Sequence, residues 1–147
     1  MKTESAKDRL EIARTYKASP EELFEAFTNP LVMAKWFYGN EEGSAEVEND
    51  LKVGGSYVVR MHGEGECSGN PPHGEYLVID PPHRLSFTWI VEGAVDNSVV
   101  DISFKRIDED TTQLTLVHEL TPDLIQPHME GWTHCLNHVA KFCFPAA

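Results

Sequence analysis

A change of hydrophobic period near the C-terminal end is the feature that most constrains this chain. Over most of the sequence, apolar side chains alternate with polar ones, which is the period-two pattern of half-buried β-strands. The clearest case is residues 84–92, where Leu85, Phe87 and Trp89 share one face. Similar segments predict further strands at residues 10–17, 45–49, 56–62, 75–80, 98–107 and 112–120.

Between residues 127 and 144 the apolar positions step by three and four instead. At about 100° per residue, they form one narrow stripe on an amphipathic helix. The stripe consists of Trp132, Leu136, Val139 and Cys143. A helix over this segment is roughly 27 Å long, enough to lie across a whole sheet.

Two short helices are predicted after the first strand. Ser19 can cap the free N–H groups of a first helix, Pro20 suits its first turn, and Glu22 can complete a capping box. Asn29-Pro30 repeats this signal and predicts a second short helix that carries Met33, Trp36 and Phe37.

The order of elements predicts an α+β fold. One strand, two short helices, about six strands and one long helix imply an antiparallel sheet with its helices on one face. A curved sheet that wraps around one long helix leaves a wedge between them, where an apolar cavity is common. We expect a single domain at residues 10–147 after a tail at residues 1–9, because two cores in 147 residues would each be marginal.

Charge and composition exclude several classes of partner. The chain has 24 acidic and 12 basic residues, a net charge of −12, so nucleic acid and anionic membrane surfaces are not expected partners. No apolar run approaches the roughly 18 residues of a membrane span. The charged N-terminus and three cysteines (Cys67, Cys135 and Cys143) predict a cytoplasmic protein with reduced thiols.

Several motifs carry a family resemblance. Residues 12–30 (IARTYKASPEELFEAFTNP) resemble the opening of the START-like (SRPBCC) superfamily. Residues 34–37 (AKWF), 54–57 (GGSY), 81–89 (PPHRLSFTW) and 112–119 (TQLTLVHE), with Gly131-Trp132, narrow the resemblance. In this order they are similar to the activator of heat-shock protein 90 ATPase homologue family.

The resemblance implies a helix-grip fold, in which a curved antiparallel sheet surrounds the C-terminal helix and a cavity lies between them. It extends over residues 10–144 and corresponds to the C-terminal domain of the two-domain co-chaperones of that family. We expect no counterpart here of their N-terminal, chaperone-gripping domain. The wider superfamily includes lipid and hormone carriers and aromatic polyketide cyclases.

Aromatic side chains supply the candidate binding site. Tryptophans most often pack in the core, but in a helix-grip fold they can also line a pocket for an aromatic or acyl ligand. His118 shares the strand face of its apolar neighbours, so it is either a satisfied core residue or a polar group in the cavity. The candidate ligand-binding residues are Trp36, Tyr57, Trp89, His118 and Trp132.

The third predicted strand leaves one question open. Tyr57, Val59 and Met61 lie on one of its faces, and Arg60 and His62 lie on the other. Either face would satisfy the period-two pattern, so the sequence leaves open which one lines the cavity.

No catalytic residues, metal or cofactor are predicted. His134 and His138 stand one helical turn apart, but the helical wheel places both toward solvent, and no third ligand is evident. Glu64, Glu66 and Glu75 lie near His62 and His73 in the sequence. They could act as acid or base only if the glycine-rich loop covers the cavity.

Three functions follow from these observations. The first is the binding of a small hydrophobic or aromatic ligand in the cavity. The second is a protein-interaction module linked to a chaperone, as the resemblance implies. The third is a cyclase-type enzyme.

Overall fold

Seven strands form one antiparallel sheet in the computed structural model, which describes residues 8–38, 43–62, 71–93 and 95–145. In chain order the elements are β1 (Asp8–Tyr16), α1 (Pro20–Ala26), α2 (Pro30–Met33), β2 (Ser44–Asn49), β3 (Ser56–His62), β4 (His73–Asp80), β5 (Arg84–Val91), β6 (Val95–Asp108), β7 (Thr111–Leu120) and α3 (Pro122–His138). The strands lie side by side in the order β1-β7-β6-β5-β4-β3-β2. The sheet curls around α3, so the predicted α+β helix-grip fold is confirmed.

The first two helices begin where their capping signals predict. The Ser19 side chain accepts a hydrogen bond from the Glu22 N–H at 3.1 Å, and the Glu22 carboxylate accepts one from the Ser19 N–H at 3.0 Å. The expectation that the second helix carries Trp36 was wrong, because α2 ends at Met33. Trp36 lies in the following turn, where its indole N–H donates to the carbonyl of Ala26 at 2.8 Å.

The long helix begins earlier than the sequence predicts. Its first residue is Pro122, after the N-cap Thr121, and Pro127 lies inside the helix rather than at its start. Thr121 is a preferred type of N-cap residue, Asp123 adds an acidic side chain to the first turn, and proline at the first turn costs no hydrogen bond. The helix also ends early, because residues Val139–Cys143 form a π-helical turn.

Three of the four residues of the predicted apolar stripe are buried, whereas Cys143 is only half-buried, and one position on the opposite face is buried as well. Trp132, Leu136 and Val139 are almost inaccessible to solvent. His138 was expected to face solvent and is only 5% exposed. The reason is that Tyr38, in the segment after α2, stacks on its ring with centroids 4.2 Å apart.

The face of β3 that points inward is now defined. Tyr57 and Val59 are buried, whereas Arg60 and His62 are exposed. The inward face of β3 therefore adds an aromatic side chain to the space beneath α3.

One glycine is required for two strands to approach each other. A Cβ atom at Gly74 on β4 would collide with the carbonyl oxygen of Thr88 on β5. The same carbonyl accepts a hydrogen bond from the Tyr57 hydroxyl. Gly74 therefore lets three neighbouring strands meet closely at one point of the sheet.

Shortening Leu136 should destabilise the protein strongly. Its side chain is 1% exposed, and its carbonyl oxygen accepts a hydrogen bond from Tyr16 of β1 at 2.9 Å. We expect Leu136→Ala to lower the free energy of unfolding by about 2–5 kcal/mol, through lost burial and the cavity left behind. Urea unfolding measures this, with the exposed neighbour Asn137→Ala as the control. Equal effects of the two substitutions would contradict the placement of this helix face.

Candidate ligand-binding site

An apolar cavity lies among side chains from the short helices, the sheet and α3. Three of its lining residues are candidates from the sequence: Trp36, Tyr57 and Trp132. Six others were not predicted: Phe27, Met33, Phe37, Tyr76, Phe87 and Ile102. We call this set of nine the aromatic pocket. None of its side chains carries a charge, and its volume is about 10 Å³, comparable to one water molecule.

Phe37 is the centre of the aromatic contacts. Its ring stacks on Trp36 with centroids 4.5 Å apart, stacks on Trp89 at 5.9 Å and lies 5.6 Å from Trp132. The sequence placed Phe37 on the second short helix, but it lies beyond the end of α2 and belongs to no helix or strand, and it was not selected as a pocket residue. Its position next to Trp36 in the AKWF motif was the available signal.

Trp89 and His118 are buried but lie outside the pocket lining. The Trp132 indole N–H donates to His118 Nδ1 at 3.1 Å, so His118 carries its proton on Nε2. That nitrogen lies 2.8 Å from the Ser98 hydroxyl oxygen, and the hydroxyl donates to the carbonyl of Trp89 at 2.8 Å. Both ring nitrogens of His118 therefore form hydrogen bonds with protein groups, and His118 fixes the position of the Trp132 indole.

A second histidine, His128, forms a hydrogen bond with a second tryptophan, Trp89. The Trp89 indole N–H donates to His128 Nε2 at 3.3 Å, and His128 Nδ1 donates to the carbonyl of Leu124 at 3.0 Å. The His128 and His118 rings meet edge to face, with centroids 5.3 Å apart. Burial lowers the pKa of His128, and its bond to the Leu124 carbonyl opposes that shift. His128 is thus a neutral acceptor, and sequence analysis missed it because it lies outside the predicted apolar stripe.

Two tyrosines of the pocket wall, Tyr57 and Tyr76, carry hydroxyl groups. The Tyr57 hydroxyl donates to the carbonyl of Thr88 at 2.5 Å. The Tyr76 hydroxyl accepts from the Asn49 side-chain amide at 3.0 Å, and the same amide nitrogen donates to the carbonyl of Thr28 at 2.8 Å. Burial raises the pKa of both tyrosines, so both are uncharged phenols near neutral pH.

The other candidate groups are dispersed. The His134 and His138 rings are 6.3 Å apart, and across the described residues no three or more His, Cys, Asp or Glu side chains are grouped to hold a metal ion. His73 lies 3.1 Å from the carboxylate of Glu92 at the surface. Glu64, Glu66 and Cys67 lie outside the described residues.

Within the described part of the chain, no helix is long and apolar enough to cross a membrane.

Stability should fall in mild acid through His128. Its folded pKa lies below the ordinary value of 6.5, so the unfolded chain takes up the proton first. The stabilisation is present above that value and is lost as the pH falls through the lowered folded pKa. His128→Gln keeps an acceptor for Trp89 but binds no proton, so we expect it to lose less stability between about pH 7 and pH 5.

Urea unfolding midpoints across this pH range measure the difference. The exposed His83→Gln serves as the control and should keep the wild-type slope. An unchanged slope in His128→Gln would show that another group causes the acid sensitivity.

Comparison with known proteins agrees with this architecture. Protein CV1439 from Chromobacterium violaceum is 26% identical, with a TM-score of 0.81 over 94% of this chain and 98% of that one. PFC0360w from Plasmodium falciparum, an HSP90 activator, is 26% identical, with a TM-score of 0.76 over 93% and 97% of the two chains. CalU16 from Micromonospora echinospora is 25% identical, with a TM-score of 0.68 over 100% and 81%. No curated protein is significantly similar in sequence.

The family model for Activator of Hsp90 ATPase homolog 1-like proteins matches residues 17–143. This range runs from the end of β1 to the π-helical turn, so it includes every residue of the aromatic pocket. The chain therefore belongs to the family of Activator of Hsp90 ATPase homolog 1-like proteins, within the START-like superfamily.

Proposed function

We propose that this protein binds a small, uncharged hydrophobic ligand in the aromatic pocket between the sheet and α3. The observation that carries the proposal is the composition of the pocket wall, which is aromatic or aliphatic throughout and free of charge. Small-molecule sites in proteins are concave and mostly apolar, with a few polar groups that orient the ligand. Trp36, in the turn after α2, and Trp132, on α3, both line the pocket, and Trp89 packs against Trp132.

The small volume implies that a ligand takes space now held by side chains. Met33 is the most adaptable part of the wall, because methionine is unbranched and flexible. It ends the four-residue α2, in which Leu31 is 79% exposed. A short helix at the surface moves at lower cost than the paired strands opposite it. We therefore assign ligand entry to the side of α2.

The lack of charge in the wall favours neutral ligands. A carboxylate buried there would find no cation among the lining residues, and an unpaired buried charge is costly. Fatty acids and aromatic acids should therefore bind less well than neutral aromatic compounds.

We place the protein in the reducing cytoplasm, since Cys135 and Cys143 are both free thiols.

Ligand binding should be detectable by thermal unfolding. A neutral aromatic probe such as ethylbenzene should raise the melting temperature progressively with concentration, because it binds only the folded state. Met33→Ala should melt at a lower temperature but bind the probe more tightly, since the substitution opens space in the pocket. Benzoate should cause a smaller shift in both proteins.

Met61→Ala is the matched control, because Met61 packs against the core but does not line the pocket. It should lower the melting temperature without any gain in affinity. If neither the wild type nor Met33→Ala responds to neutral aromatic probes, the proposal is wrong.

A chaperone-linked interaction is the second candidate. It is favoured by the likeness to the P. falciparum HSP90 activator, of which this chain covers 97% at 26% identity. Under the ligand-binding proposal we expect no stimulation of a heat-shock protein 90 ATPase by this chain. Steady-state ATP hydrolysis with micromolar protein tests this, and a several-fold stimulation would make the interaction module the better assignment.

A further inference from the structure

Four side chains of the aromatic pocket carry a hydrogen that can be donated in a hydrogen bond. They are Trp36, Tyr57, Tyr76 and Trp132. Each has one such hydrogen, so the donors of the pocket can be assigned individually.

Three of these donors are already used by the protein. The Trp36 indole donates to the carbonyl of Ala26 at 2.8 Å, and the Trp132 indole donates to His118 at 3.1 Å. The Tyr57 hydroxyl donates to the carbonyl of Thr88. A ligand could take these hydrogens only by breaking bonds that fix the fold.

Tyr76 differs from the other three. It is 2% exposed, and its hydroxyl oxygen accepts from the Asn49 amide. The Asn49 orientation is fixed, because the same nitrogen must also donate to the carbonyl of Thr28. Among the described residues, no group therefore accepts the hydroxyl hydrogen of Tyr76. Burial raises the pKa of Tyr76, which keeps that hydrogen in place at neutral pH.

We propose that Tyr76 is the specificity-determining residue of the pocket and donates its hydroxyl hydrogen to an acceptor oxygen on the ligand. The inference rests on the proposed function and narrows the ligand class to uncharged aromatic molecules that carry a carbonyl or ether oxygen. A buried donor with an unfilled acceptor position penalises ligands that lack the oxygen. The apolar remainder of the pocket accepts the ring system.

A matched pair of probes tests this inference. Acetophenone and ethylbenzene have the same single ring and nearly the same size, but only acetophenone carries a carbonyl acceptor. The quantity to measure is the ratio of their affinities within each protein, by calorimetry or ligand-dependent melting. Because both probes are compared in one protein, a change in stability cancels from the ratio.

Tyr76→Phe removes the proposed donor. Tyr16→Phe is the control, because Tyr16 is a buried tyrosine outside the pocket lining whose hydroxyl donates to the carbonyl of Leu136. We expect the preference for acetophenone to fall about 3- to 10-fold in Tyr76→Phe, as for the loss of one hydrogen bond, and to stay within about twofold of wild type in Tyr16→Phe. An unchanged ratio in Tyr76→Phe would overturn the inference.

A measurement on the wild type covers the case in which Tyr76→Phe does not fold. The C=O stretching band of bound acetophenone should lie at lower wavenumber than in cyclohexane, where no donor is present. A band at the cyclohexane position would also overturn the inference. If the wild type binds neither probe, the proposed function itself fails, whereas equal binding of both probes contradicts only the role of Tyr76.

Discussion

The hydrogen bond from the Trp132 indole to His118 is the contact on which the arrangement of the pocket depends. It joins α3 to β7 in the interior and determines which nitrogen of His118 carries the proton. The Nε2 hydrogen of His118 is then donated to the Ser98 hydroxyl oxygen, and the Ser98 hydroxyl donates to the carbonyl of Trp89 on β5. A misplaced hydrogen anywhere in this series would leave a buried polar atom without a partner, at a cost of about 1–3 kcal/mol. The network therefore specifies one orientation of the long helix across three strands.

The polar network and the aromatic contacts have different roles. Apolar burial supplies most of the stability but is not directional, so many packings of the same rings would have similar energies. The indole–histidine bonds select one of them, because Trp89 and Trp132 must each reach a particular nitrogen. No buried side-chain nitrogen or oxygen in the described residues lacks a hydrogen-bond partner atom. Once the tryptophans are fixed, Phe37 can stack on Trp89 and pack at a tilt against Trp132, and this cluster forms part of the pocket wall.

Periodicity was sufficient for the sheet and for the buried stripe of α3, because both depend on which residues share a face. It failed where a contact comes from a distant, irregular segment. His138 is buried where Tyr38 stacks on its ring and its Nδ1 lies 3.4 Å from the Trp36 carbonyl, and no helical wheel includes those two residues. The start of α3 was placed too late for a different reason: Pro122 follows Thr121, a preferred type of N-cap residue, whereas Pro127 follows Gln126. Trp36, Tyr57 and Trp132 could be selected as large aromatic side chains at inward positions, whereas Phe37 and His128 required the tertiary structure.

The gathering of tryptophans has an optical consequence. The chain has three, and all lie at or directly behind the pocket, with Trp89 and Trp132 only 5.2 Å apart. Each is at most 5% exposed, so their emission comes from one apolar environment. Indoles this close exchange excitation energy, so Trp89 and Trp132 share their emission. The intrinsic fluorescence of this protein, measured without any added label, therefore reports on the pocket and its immediate surroundings.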